Sequence, residues 1–388
     1  MNRPLLNRRL DGLGTTIFAE MSARAVATGS INLGQGFPDR DGPASVARAA
    51  ADAILAGRGN QYPPGPGIPE LRQAIAAHDE RFWGLRYDPA DEVLVTAGAT
   101  EAIAAAMLAL VEPGDEVIAF EPYYDSYAAN IAMAGGVRVP VTLRPPDFRP
   151  DLIELAKAVT DRTRLILLNS PHNPTGSVFS RDELAAIARL AVERDLLVVT
   201  DEVYEHLVFD GEHVPIAGFP GMRERTVSVS SAGKTFSFTG WKIGWVKATP
   251  ELVTAVKTAK QFLTFVSGGP FQYAVAEALA LPGEYYARLR DDLMAQRDLL
   301  CGGLSEIGFE VYEPQGTYFV TADVRPLGYQ DGVEFCRTLP DRAGVVAIPT
   351  AIFYDHPERA RSHVRFAFCK QPEVLTEALR RLSRLTRC

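Results

Sequence analysis

Cysteine is scarce in this chain of 388 residues: only Cys301, Cys336, Cys369 and Cys388, with no CxxC pair among them. So few thiols exclude a disulfide scaffold and fit a reducing cytoplasm. Long apolar runs are missing too. Nothing approaches the roughly 18 residues of a membrane span, and the charged opening MNRPLLNRRLDGLG has no apolar stretch behind it, so no signal peptide is read. Nor is there a basic excess. Forty basic and 48 acidic residues are interspersed and leave a net charge of −8, which offers no face for nucleic acid. Arg380, Arg381, Arg384 and Arg387 stand at helical spacing and read as a solvated helix face. The six histidines form no HExxH or similar spacing, so no metal is assigned. No GxGxxG follows a strand, Gly65-Pro66-Gly67 reads as a turn, and there is no internal repeat or low-complexity tract.

What is present belongs to an ordinary globular protein, 47% hydrophobic, and the length suits one large domain plus a smaller one. From about residue 90, short runs rich in Val, Ile and Leu alternate with helical patterns. The runs are Val93–Thr96, Glu116–Phe120, Val137–Leu143, Leu165–Leu168, Leu196–Thr200, Thr226–Ser230 and Gly244–Ala248. They mostly lack period-two alternation, as strands buried on both faces do. Between them, Thr100–Val111, Ser126–Ala134, Asp151–Val159, Ser180–Arg194 and Pro250–Phe262 carry apolar residues at helical spacing, and Ser180 with Glu183 has the spacing of a capping box. The expected fold is therefore α/β, a mostly parallel seven-stranded sheet flanked by helices. After about residue 284 a long helix, strand-like pieces at Tyr318–Thr321 and Val345–Ile348, and a final helix from Pro372 predict a smaller α+β domain. We assign residues 43–284 to the large domain and 1–42 plus 285–388 to the small one.

Polar residues gather where strands end, which is where ligands sit in open α/β sheets. The run RLILL ends in Asn169-Ser-Pro-His-Asn173-Pro-Thr-Gly176, LLVVT ends in Asp201 with Tyr204 three residues on, and TVSVS ends in Ser231-Ala-Gly-Lys234. VLVT ends in Ala97-Gly98-Ala99-Thr100 and opens an Ala-rich helix, whose free N–H groups would point outward. Singly these are turns, caps and loops. Together, a phosphate cradle, an acid, a phenol, an amide and a lysine meet the needs of pyridoxal phosphate. That cofactor takes a lysine amine for its Schiff base, a carboxylate against its pyridine nitrogen, and donors for its phenolic oxygen and phosphate.

SSAGKTFSFTGWKIGW, PHNPTG, DEVYEHLVF and AGATEAI resemble the class I/II, fold-type-I aminotransferases that use pyridoxal 5'-phosphate. The likeness runs from about Thr15 to the C-terminus. The branch it resembles is that of kynurenine aminotransferase, glutamine transaminase K and cysteine-conjugate β-lyase, together with actinobacterial N-succinyldiaminopimelate aminotransferases. The resemblance implies that Lys234 forms the Schiff base and shuttles the proton, with Asp201 on the pyridine nitrogen and Asn173 and Tyr204 on the phenolic oxygen. It implies that Tyr123 stacks on the ring, and that Gly98, Ala99, Thr100, Ser231 and Lys242 bind the phosphate. Arg365, in HVRFAFCK, would clamp the substrate carboxylate, aided by Gly36 and with Asn173 close by. Phe18 would line the substrate pocket. Tyr62 would reach the phosphate of a partner subunit and Phe265 would cross the same interface, making a homodimer with shared sites.

The chain departs from the kynurenine-type pattern by having Phe18 where those enzymes tend to carry Trp, Thr100 in place of Tyr, and Val266 in place of His. Less ring surface favours a longer, more polar or flexible donor: N-succinyl-LL-2,6-diaminopimelate, glutamine and methionine stand beside kynurenine. The expected reaction is amino transfer from an L-amino acid to a 2-oxo acid such as 2-oxoglutarate. β-Elimination from cysteine conjugates is the alternative. A ligand-sensing regulatory domain is remote, since only about 30 residues precede GQGFPD and no DNA-binding segment is seen among them.

Overall fold

The computed structural model describes residues 5–13 and 16–385; Arg387, Cys388 and Thr15, where the resemblance begins, lie outside them. Seven strands form the central sheet. In spatial order they are Val93–Thr96, Gly244–Lys247, Thr226–Ser231, Leu197–Asp201, Thr163–Asn169, Glu116–Glu121 and Val137–Thr142. Only Gly244–Lys247 runs antiparallel to its neighbours, so the expected mostly parallel sheet is observed. The inner strands are buried along nearly their whole length, which is why most of them do not alternate; Thr226–Ser231 does, and its serines are buried as well. Val137–Thr142 is an edge strand, half exposed at its start. It carries Arg138 and Pro140, residues that suit an edge, where a charge and a missing N–H discourage further pairing.

Helices cover both faces. Gly98–Leu110 sits against one face through Ala102, Ile103, Ala106 and Met107, and its alanines let the helix lie close to the strands. On the other face Arg181–Glu193 buries Leu184, Ile187 and Ala191. Its start is the expected capping box, Ser180 Oγ accepting from the Glu183 N–H at 3.3 Å while the Ser180 N–H donates to Glu183 Oε2 at 2.7 Å. Such a cap contributes about 1 kcal/mol.

The C-terminal part builds a four-stranded antiparallel sheet in the order Ile348–Pro349, His363–Ala367, Phe319–Asp323, Glu310–Tyr312. The expected strand Val345–Ile348 is split. Val345–Val346 pairs with Ile31–Asn32, and Ile348–Pro349 joins the four-stranded sheet. The N-terminal segment is thus stitched to the C-terminal part, and Leu33 continues the link by accepting from the Ala367 N–H at 2.6 Å. Strand His363–Ala367 and the helices Ala44–Leu55, Pro69–Trp83, Gly269–Leu279 and Gly332–Ala343 were not anticipated from sequence.

Candidate active site

The carboxyl ends of the parallel strands open into a cavity of about 410 Å³ that the C-terminal sheet closes from the far side. Strand register sets the floor. Asn169 ends one strand directly opposite Asp201 on the next, and its side-chain amide donates to the Asp201 carbonyl at 2.8 Å. The Asn169 side-chain oxygen accepts the Asn173 N–H at 2.8 Å, which holds the PHNPTG turn against the strand end.

Asp201 is 5% exposed, and burial pushes its carboxyl up, opposed by the Tyr127 hydroxyl, which donates to Oδ2 at 2.6 Å, and by the Val203 N–H. Lys234 follows the strand Thr226–Ser231 in the single helical turn Ala232–Thr235. Its Nζ lies 5.8 Å from the centre of the Tyr204 ring and 5.6 Å from that of Tyr318. Burial brings this amine down to about 8, against the opposing pull of Cys369 and Asp201.

On one side of the cavity the helix Gly98–Leu110 begins with no side-chain cap. Gly98 has a φ of +73°, and strand Gly244–Lys247 passes so near that a Cβ on Gly244 would stand 2.5 Å from the Gly98 carbonyl carbon. Lys242 Nζ donates to Thr100 Oγ1 at 3.3 Å. Free N–H groups, a hydroxyl, an ammonium and Ser231 at this end make an anion-binding corner.

Arg365 enters from the small sheet, 2% exposed. Nη1 donates to Asn173 Oδ1 and Nη2 to the Gly34 carbonyl, each at 3.0 Å, while Nε has no partner among the described residues. No carboxylate among the described residues forms a salt bridge with it. Burial lowers it to about 10. Its guanidinium carbon lies 3.9 Å from the Phe319 ring centre, 5.2 Å from Phe353 and 5.3 Å from Phe18. Gly36 is required where it stands, because a Cβ there would meet Phe319 Cζ at 2.3 Å.

Most of the expected site residues therefore line one cavity: Phe18, Gly36, Gly98, Ala99, Thr100, Asn173, Asp201, Tyr204, Ser231, Lys234, Lys242 and Arg365. Tyr123 is a correction. Its hydroxyl donates to Asp355 Oδ2 at 2.8 Å and its ring packs by Arg138, which turns it out of the cavity, and the adjacent Tyr124 lines the wall instead. Tyr62 and Phe265 do not line it within this chain. They meet edge to face at 5.6 Å on the surface, 83% and 50% exposed. Tyr124, Asp125, Tyr127, Asn169 and Gln35 also line the cavity and were not singled out. Tyr124 stands just before the helix Asp125–Ala134 and Tyr127 lies in its first turn, so both rings reach the cavity from one helix start.

The chain belongs to the aminotransferase class I and II family, which matches residues 28–382, and it is a transaminase. It is 56% identical over 386 residues to a Mycobacterium tuberculosis protein described as a probable N-succinyldiaminopimelate aminotransferase, covering 97% of each chain. The solved N-succinyldiaminopimelate aminotransferase from that organism superimposes with a TM-score of 0.96 over 98% of this chain and 100% of that one. The methionine aminotransferase of Escherichia coli is 42% identical over 99% of this chain and 100% of its own. The kynurenine–oxoglutarate transaminase of Dictyostelium discoideum is 36% identical over 96% and 94%. The fold is accordingly that of the fold-type-I aminotransferases.

Proposed function

We propose that this transaminase works with pyridoxal 5'-phosphate attached to Lys234, moving the amino group of an L-amino acid to a 2-oxo acid such as 2-oxoglutarate. The observation that carries the reading is the pairing of Lys234 and Arg365 in one cavity. One is an amine that burial brings to about 8, the other a buried guanidinium whose Nε is unpartnered. The cofactor fits the donor set: an uncapped helix start for a phosphate, a buried carboxylate for a ring nitrogen, and a lysine whose amine makes no hydrogen bond among the described residues.

When bound, that cofactor supplies an aldehyde for amine capture and a cationic ring that draws electrons from the substrate α-carbon. Asp201 would keep the ring nitrogen protonated, with Tyr127 holding its carboxylate in place. Asn173 and Tyr204 would hold the phenolic oxygen, and Tyr124, in place of Tyr123, would face the ring. Gly98, Ala99, Thr100, Ser231 and Lys242 would bind the phosphate. Lys234 Nζ, freed by the incoming amine, would take the proton from the substrate α-carbon and return it one position away. Arg365 Nε and its neighbouring N–H groups would take the α-carboxylate, with the Gly36 N–H beside it, and Phe18 would line the donor's side chain.

Residues 43–284 form the cofactor-binding unit in this reading, and 1–42 with 285–388 the unit that brings Arg365. The exposed pair Tyr62 and Phe265 suits a face covered by a second copy, with Tyr62 reaching the other copy's phosphate, so the functional unit is a cytoplasmic homodimer. Among candidate donors we place N-succinyl-LL-2,6-diaminopimelate first, on the 56% identical mycobacterial relative, ahead of methionine, glutamine and kynurenine. A donor panel with 2-oxoglutarate as acceptor, read as glutamate formed, tests this. The expected result is a kcat/KM for the succinylated donor at least ~10-fold above the others. Pyruvate and ammonia released from a cysteine conjugate faster than any amino transfer would overturn it.

A further inference from the structure

The segment after Asp201 turns a second set of polar side chains away from the cavity and into the interior. Glu202, Glu205 and His213 are 1%, 3% and 8% exposed, and one donor atom from each lies within 4.8 Å of the others. Glu202 Oε2, Glu205 Oε2 and both ring nitrogens of His213 have no hydrogen-bond partner among the described residues. The outer carboxylate oxygens, by contrast, are anchored from behind. Ser230 Oγ donates to Glu205 Oε1 at 2.8 Å and Thr200 Oγ1 to Glu202 Oε1 at 3.5 Å. His213 packs edge to face on Trp83 at 4.7 Å, with the Ser170 carbonyl beside its ring. The Trp83 indole N–H approaches Glu205 without reaching hydrogen-bond geometry.

Lys247 is the cation nearest to hand, yet it is already engaged. Its ammonium donates to both oxygens of Asp79, at 2.7 and 2.8 Å, and stands 3.8 Å from Glu202 Oε2. Asp79 takes both near contacts of the Lys247 ammonium, so Glu202 and Glu205 feel it only from farther off, and burial pushes their carboxyls up to about 8 and about 7 while keeping the His213 imidazole neutral. Two buried carboxyls and a neutral imidazole thus turn free atoms toward one point, and a doubly charged cation there would let both carboxyls ionise. A neighbouring group, His78, Glu205 and His206, is less suited, because His78 Nε2 and His206 Nε2 already bond each other at 2.8 Å.

We propose that Glu202, Glu205 and His213 form a structural site for one divalent transition-metal ion, with zinc the best match to two carboxylate oxygens and an imidazole. Zinc binds such atoms at about 2.0–2.2 Å, so the donors must close to separations of roughly 3.3 Å, within reach of small side-chain rotations. The two hydroxyl anchors are of the kind that orient metal ligands from behind. The ion would tie Glu202 and Glu205 to His213 and so fix the backbone that presents Asp201 and Tyr204 to the cavity. These three are positioning residues; none lines the cavity.

The test uses tag-free holoenzyme incubated with zinc chloride, desalted, and assayed for metal by mass spectrometry. We expect about one ion retained per chain, lost in Glu205→Gln and in His213→Gln and kept in His78→Gln. No retention by the wild type, or retention unaffected by both substitutions, overturns the proposal. Should a variant fail to fold, anomalous diffraction from zinc-soaked wild-type crystals decides. A peak between Glu202, Glu205 and His213 supports the site, and peaks only elsewhere overturn it.

Discussion

Two polar clusters meet at one stretch of chain. Asp201 and Tyr204 face the cavity, while Glu202 and Glu205 face the interior around Lys247. Each cluster holds a lysine from which burial removes water, yet the two amines move in opposite directions. Lys234 falls to about 8 because burial outweighs the opposing pull of Cys369 and Asp201. Burial also works to lower Lys247, but the charges of Asp79, Glu202 and Glu205 outweigh it and hold its ammonium well above the usual lysine range. The contrast separates a residue kept reactive from one kept charged.

Removing each lysine should therefore do opposite things. Lys234→Ala is expected to cut transamination by at least ~10³-fold, since the covalent anchor and proton carrier leave together. In the apoenzyme, Lys234→Met should raise unfolding free energy by about 1 kcal/mol at neutral pH. The sign follows from linkage. With the folded amine near 8 and the unfolded one near about 10.4, the burial penalty is full below pH 8 and fades as pH rises toward 10. Lys247→Met should instead destabilise by about 3 kcal/mol in chelator-treated protein, because Asp79 is left buried and unpaired. Denaturant titration of both variants decides. Equal losses of stability would erase the distinction drawn here.

Arg365→Lys sharpens the cavity side. A lysine there could not offer the planar fork, so kcat/KM for α-amino acids should fall by ~10²-fold while cofactor affinity changes little. Equal losses in both would remove Arg365 from carboxylate recognition. The rate at which the apoenzyme attaches pyridoxal 5'-phosphate should rise about tenfold per pH unit and level off above pH 8. A profile that keeps climbing toward pH 10 would mean an ordinary lysine.

The cavity was more legible in sequence than the interior cluster, for a physical reason. Asp201 ends a strand, and Lys234 and Asn173 stand in the short turns just after strands ending at Ser231 and Asn169, so chain order alone puts them on one sheet edge. Tyr123 went astray by one position because a tyrosine pair gives no sign of which ring faces in, and only the Asp355 contact from the far part of the chain decides it. The strand His363–Ala367 alternates polar and apolar residues, but it is only five residues long and buried on both faces, so it was read for its arginine and not as a strand. In the interior cluster Asp79 comes from the helix Pro69–Trp83, Glu202 and Glu205 from the segment after Asp201, and Lys247 from a strand, so no spacing rule joins them. Contacts of that kind exist only after folding.

The smallest expected effect tests how Asp201 is held. Its burial works against ionisation, and the Tyr127 hydroxyl at 2.6 Å is the first of the groups that oppose this. Tyr127→Phe keeps the ring, and so the packing of the helix Asp125–Ala134, but removes one hydrogen bond to a charged acceptor, worth about 1.5 kcal/mol. The Asp201 carboxyl should then move further up, and a carboxylate that ionises less readily holds a ring nitrogen's proton less well. A roughly tenfold fall in kcat with KM little changed is the expected outcome. If kcat is untouched, Tyr127 only fills space, and Asp201 is kept ionised by the Val203 N–H and Lys234 instead.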